Sequence, residues 1–311
     1  MRLSVEAVGA LALALSLASC SQSSEPGPDP GPGRIIFTRA ANQLQDIYAM
    51  DLRGTNLEQL TTSFALEHWG AWSLDTFKIA FMSDRIIDTT YTARFQIYVM
   101  NSDGNNVSQL TFPDPARDSI TNHVIDTTSN LHPAWSPDGT KIVFVSSRDT
   151  NPQLYVMEPN GANVVRLTHS SGADAQPAWS PDGTKIAFAT DRTGNDEIFV
   201  MNADGTNPTN LTHASSIDLL PAWSPDGSKI AFQSDRAIDF AVWVMNADGS
   251  NPVQLSSSSP RSGAPSWSPD GTRIVYEQGG DLWVMNADGS NPIRITSGFQ
   301  PDGLPRWRPI Q

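Results

Sequence analysis

The chain has a single cysteine, Cys20, in 311 residues, so no internal disulfide can form. It also has no apolar stretch long enough to cross a bilayer as a helix: the N-terminal run from Ala7 to Ala18 is short and is broken by Gly9 and Ser16. Basic residues are scarce, with 20 Lys and Arg against 33 Asp and Glu, a net charge of −13. Gripping a phosphate backbone needs a basic footprint, so a nucleic-acid partner is excluded. Histidine is sparse and never spaced as HxxH or HExxH, and there is no GxSxG elbow, phosphate-binding loop or dinucleotide fingerprint. Nothing in the sequence therefore points to a serine hydrolase, a nucleotide-binding enzyme or a zinc peptidase.

What is present begins with a leader. Arg2 precedes the apolar run, which ends at Leu17-Ala18-Ser19-Cys20, the pattern of a bacterial lipobox. Residues 1–19 are expected to be a signal peptide, and Cys20 to carry lipid as the new N-terminus. Ser21, next to it, suits sorting to the outer membrane. Residues 20–33 then hold the lipidated Cys and a Pro, Gly and Ser tether in which no regular structure can propagate. This predicts a chain anchored by lipid alone on the periplasmic side of the envelope.

From residue 34 to 311 the sequence repeats. Trp-Ser-Pro-Asp-Gly occurs at Trp135, Trp179, Trp223 and Trp267, each 44 residues after the last, and degenerate copies at Trp72 and Trp307 make six. Each full repeat holds four short apolar runs separated by turn signals, as in Pro177 to Trp179, Lys185 to Ala189, Glu197 to Met201 and Thr209 to Thr212. Ser180-Pro181-Asp182-Gly183 and Asn202-Ala203-Asp204-Gly205 are hairpin turns, so the strands are antiparallel. The third run is apolar at nearly every position (IYVM, IFVM, VWVM) and must be covered on both faces. These features predict an all-β, six-bladed propeller of four-stranded antiparallel blades. The first strand (Arg34 to Thr38) is the second strand of a repeat, and the last (Leu304 to Trp307) is a first strand. The C-terminal strand is thus expected to complete the first blade and close the ring, and the repeat tryptophans to pack between blades.

The repeat resembles the C-terminal propeller of the TolB family, whose units read PAWSPDGxKIAFxSDR followed by IYVMNxDG. Residues 177–192 (PAWSPDGTKIAFATDR) and 221–236 (PAWSPDGSKIAFQSDR) match almost throughout. The resemblance covers residues 34–311 and lacks the α/β domain that precedes the propeller in TolB. It implies a protein-binding scaffold rather than an enzyme, expected as a monomer, with envelope proteins such as a peptidoglycan-associated lipoprotein as partners. Related repeats in the oligogalacturonate lyases imply the alternative, a metal-dependent polysaccharide lyase or sugar-binding protein.

Three groups of residues are candidates for function. Residues 83–95 and 112–131 carry most of the extra length between Trp72 and Trp135, and their Tyr91, Phe95, Phe112, Ile120, Val124 and Ile125 would form a partner-binding patch if exposed. The residue five before each repeat Trp is Glu67, Asn130, Asp174, Asp218, Ser262 or Asp302, a mostly acidic set. It reads either as a carboxylate ring at the channel mouth, suited to a divalent cation, or as side chains that bond their own turns. Asp174, Asp218 and His132 are the metal candidates; otherwise no cofactor is expected. His68, His169 and His213 fall on the same connections without metal-ligand spacing. The Ser-Asp-Arg triplets at Ser83, Thr190 and Ser234 recur blade after blade, which marks structural ion pairs and turn caps.

Overall fold

The computed structural model describes residues 33–41, 44–85, 94–112, 128–149, 151–298 and 300–309. The leader, Cys20 and the tether up to residue 32 lie outside them. The described strands form six four-stranded antiparallel sheets. Blade IV shows the pattern: Asp174–Trp179 innermost, then Lys185–Thr190, Glu197–Asn202 and the short outer strand Thr209–Asn210. The innermost strands of blades II, III, V and VI are Glu67–Trp72, Asn130–Trp135, Asp218–Trp223 and Ser262–Trp267. Blade I is assembled from both ends of the chain. Asp302–Trp307 is its innermost strand and pairs antiparallel with Arg34–Ala41, followed by Leu44–Asp51 and Glu58–Gln59. The expected closure is the one observed.

The hydrophobic core is divided into layers between blades. Val143, Val145, Leu154 and Val156 of blade III face Ile186, Phe188, Phe199 and Met201 of blade IV, and Ala187 and Ala189, on the other face of the same strand, meet Ile230 and Phe232 of blade V. Successive side chains on a strand point to opposite sides. A strand reading Ile-Ala-Phe-Ala therefore offers bulk to one neighbour and a shallow face to the other, which lets blades converge towards the axis. Each fully buried Ile or Phe contributes roughly 1.5–3 kcal/mol. The same layering continues between blades VI and I, where Val275 and Val284 meet Ile35, Leu52 and Trp307.

The turns do what their residues require. In blade IV, the Asp182 carboxylate accepts from the Ser180 hydroxyl at 2.6 Å and from the Thr184 backbone N–H at 3.0 Å, while Gly183 takes φ 71°. These bonds favour the charged carboxylate and hold Asp182 below the usual range. Tight turns of this kind gather on one face; the blade-to-blade connections and the loops between second and third strands gather on the other.

Candidate functional site

Five of the six residues at the head of the innermost strands are engaged by an arginine of their own blade. Arg192 meets Asp174 at 2.7 Å, Arg236 meets Asp218 at 2.6 Å, Arg85 bonds Glu67, and Arg39 grips Asp302 with Nε and Nη2 at 2.6 and 2.8 Å. In blade III an amide replaces the acid, and Arg148 reaches Asn130 Oδ1 at 3.4 Å. Each guanidinium lies over two aromatic rings of the blade, as Arg192 does over Phe188 and Phe199 and Arg236 over Phe232 and Trp243. The acids are buried. Burial pushes the Asp218 carboxyl up despite Arg236, so desolvation outweighs the pairing there. Blade VI has lost both members together: Ser262 stands where the acid would be and bonds Ser256 Oγ at 2.5 Å and the Ser257 carbonyl at 2.9 Å, and the paired strand ends in Gln278 with no arginine following.

The arginine partners are part of neither sequence reading of the acidic set. Glu67, Asp174 and Asp218 also accept from the Ser63, Ser170 and Ser216 hydroxyls of their own connections at 2.7, 3.3 and 3.5 Å, while the backbone bonds of these loops go to the triplet aspartates, Asp84, Asp191 and Asp235 each accepting an N–H at 2.7 Å from Leu66, Ala173 and Ile217. Each acid is engaged by an arginine of its own blade. Among the described residues no three His, Cys, Asp or Glu side chains are grouped to hold a metal. Of the metal candidates, Asp174 and Asp218 belong to the arginine pairs, and His132 lies elsewhere.

His132 sits in the channel, at a feature that sequence reasoning missed. Every innermost strand carries a bulge, and the residue three before the repeat Trp has positive φ: Trp69, His132, Gln176, Leu220, Ala264 and Leu304, all between 50° and 61°. Their side chains are turned out of the ladder towards the axis. Trp69 is nearly buried, lies against His132 with ring centroids 4.1 Å apart and planes tilted by 42°, and belongs to a cluster against which Leu220 and Leu304 also pack. Leu220 comes from blade V, across the ring from Trp69, so these side chains stopper the channel. Gln176 links the neighbours: its backbone N–H donates to His132 Nδ1 at 3.4 Å and its Oε1 accepts from Leu220 N–H at 2.8 Å. Burial pulls His132 down to about 3 and His68 down to about 4, so both imidazoles are neutral at physiological pH.

The connection face carries the three most exposed large apolar side chains of the described residues. Phe64, on the connection entering blade II, is 99% exposed; Phe112, on the connection leaving it, is 65% exposed; Ile238 in blade V is 99% exposed. Phe95, expected in an exposed patch, instead turns inward: it meets His68 edge-on at 5.0 Å and packs on the core between blades II and III. Tyr91, Ile120, Val124 and Ile125 lie outside the described residues. His169 and His213 are exposed. On the turn face, two open grooves of about 340 and 550 Å³ run between successive turns, lined by Trp179 and by Trp135 with Leu74. Their walls are the turn residues already bonded to one another.

Residues 170–279 match the family model described as the TolB beta propeller domain. The propeller is TolB-like. A TolB homolog from Chlorobium luteolum is 29% identical over an alignment covering 40% of this chain and 34% of that protein. The chain thus matches about a third of the length of this curated relative. Among solved structures, TolB from Acinetobacter baumannii superposes with a TM-score of 0.73 at 25% identity, covering 93% of this chain and 69% of that one. A putative TolB from Agrobacterium tumefaciens gives 0.67 at 19% identity, covering 88% and 91%, a likeness of fold alone.

Proposed function

We propose that the protein is a cell-envelope lipoprotein, anchored through Cys20 on the periplasmic side of the outer membrane, whose TolB-like propeller docks another envelope protein on its connection face. A partner of the peptidoglycan-associated lipoprotein type fits this reading. The observation that carries it is the exposure of Phe64 and Phe112 on the two connections flanking blade II. Large aromatics left in water on neighbouring connections are candidates for a contact surface. The acids at the heads of the innermost strands are engaged by arginines of their own blades, which supports a scaffold over a catalyst.

Replacing Phe64 and Phe112 together by Ser should weaken capture of a purified peptidoglycan-associated lipoprotein at least tenfold, about 1.4 kcal/mol, with thermal unfolding unchanged. The control pair is Leu74→Ser with Phe77→Ser, exposed on the turn face, which should capture as the parent does. Undiminished capture by the first variant, or loss only in the second, would remove the connection face as the docking site.

A further inference from the structure

The position before each repeat Trp is Ala71, Ala134, Ala178, Ala222 or Ser266, and in blade I it is Arg306. Five blades place a small side chain here. Arg306 is only partly exposed, and its guanidinium lies 5.4 Å from the centre of the Trp69 ring, in the stoppered channel. Its one hydrogen bond among the described residues is from Nη1 to the neighbouring Pro305 carbonyl, at 2.9 Å, and no described carboxylate pairs with it.

That is out of keeping with the rest of the molecule. Each blade arginine that rests on an aromatic pair has an acid or amide in its own blade, and where blade VI lacks the acid it lacks the arginine too. The reason is general: a cation withdrawn from water needs a compensating acceptor. Arg306 has the aromatic ring but, beyond the neutral Pro305 carbonyl, no side-chain acid or amide among the described residues. Desolvation lowers its pKa to about 10, which still leaves it charged at neutral pH.

We propose that Arg306 is an anion site in the central channel, taking a carboxylate against the Trp69 ring. A guanidinium offers two parallel N–H donors, matched to the two oxygens of a carboxylate. The neighbours are suited to help. His132 accepts at Nδ1 from Gln176, so its neutral ring carries the proton on Nε2, and the Gln176 amide nitrogen donates to no described group. One positive charge inside a molecule of net charge −13 favours a monoanion over phosphate. The carboxylate can belong to a free small acid or to the C-terminus of a peptide entering the channel.

The test uses the full chain at fixed ionic strength and pH 7. Arginine Nε–H resonances are recorded during titration with acetate, with an acetylated tripeptide bearing a free C-terminus, with its amidated form, and with inorganic phosphate. The Arg306 signal is the one absent from Arg306→Ala, a substitution that five blades already accommodate with Ala or Ser. Expected is a saturable shift of that signal with acetate or the free peptide and none with the amide. Saturation by the peptide at a concentration at least tenfold below acetate identifies a peptide terminus; equal concentrations identify a small acid. Arg306→Lys, which keeps charge but not the fork, should bind at least tenfold more weakly by calorimetry. A signal that does not move with either carboxylate, or that moves only with phosphate, overturns the proposal. The Phe64→Ser with Phe112→Ser variant should bind carboxylate as the parent does, so failure of the docking surface and failure of this site are read separately.

Discussion

Asp218 and Arg236 meet at 2.6 Å in a blade interior, and the carboxylate is buried while the guanidinium keeps about a sixth of its surface in water. Removing the cation strands the anion. Arg236→Ala should therefore cost about 3–5 kcal/mol in urea unfolding. Asp218→Asn should cost less, because blade III shows an arginine held by an amide at the same place. His68 and His132 provide the other residue-scale expectation. Their folded pKa values, about 4 and about 3, lie below the ordinary value near 6.5, so the unfolded chain binds protons that the folded chain refuses. Their contribution is complete above pH 6.5 and falls away as the pH drops towards 4, by at most about 1.4 kcal/mol per pH unit for each ring. Melting temperatures between pH 7 and 5 should fall less steeply in His68→Gln than in the parent; parallel curves would contradict it. The recurrence of these acids and arginines is visible in the sequence, but their pairing is not. Asp174 and Arg192 are separated by 18 residues and a whole hairpin. The channel stopper is hidden for another reason: Trp69, His132, Gln176, Leu220, Ala264 and Leu304 share only a backbone conformation.

At the scale of the element, the turns after the third strands bind blade to blade. A Cβ added at Gly205 would lie 2.4 Å from the Leu167 carbonyl of the preceding blade, and Gly54 stands in the same relation to Ile295, carrying the contact round the closure. At Gly205 φ is 87°, unfavourable for other residues even in open space. Gly139, with φ 69°, has no atom within 4 Å of such a Cβ. Gly205→Ala should thus cost more than about 2 kcal/mol, and Gly139→Ala about 1 kcal/mol, the conformational part alone. Equal shifts in urea midpoint would mean that the inter-blade contact is not what restricts Gly205. Asn-Ala-Asp-Gly announces a turn in any sequence. Its second task, seating on a neighbour, is set by packing between units that a single repeat does not contain.

For the whole molecule, the number of blades and the way the ring closes could be read from the sequence, because an incomplete unit at each end leaves one arrangement without an unpaired edge. The observed pairing of Asp302–Trp307 with Arg34–Ala41 makes the last segment structural in three respects. It covers the edge of the Arg34–Ala41 strand, neutralises Arg39 through Asp302, and brings Trp307 into the layer with Ile35 and Val275. A chain ending at Gly298 loses all three at once and leaves the half-buried Arg39 without its acid. It should melt well below the parent and elute from gel filtration as an expanded or associated species. If closure is the cause, a synthetic peptide of residues 300–311 should restore the melting temperature in proportion to the logarithm of its concentration, since binding to the folded state alone stabilises it by mass action. The same peptide with Asp302→Ala should need a higher concentration for the same effect. An unchanged melting point after truncation, or a peptide without effect on a truncated chain that remains folded, would show that the blades hold their circle without the seam.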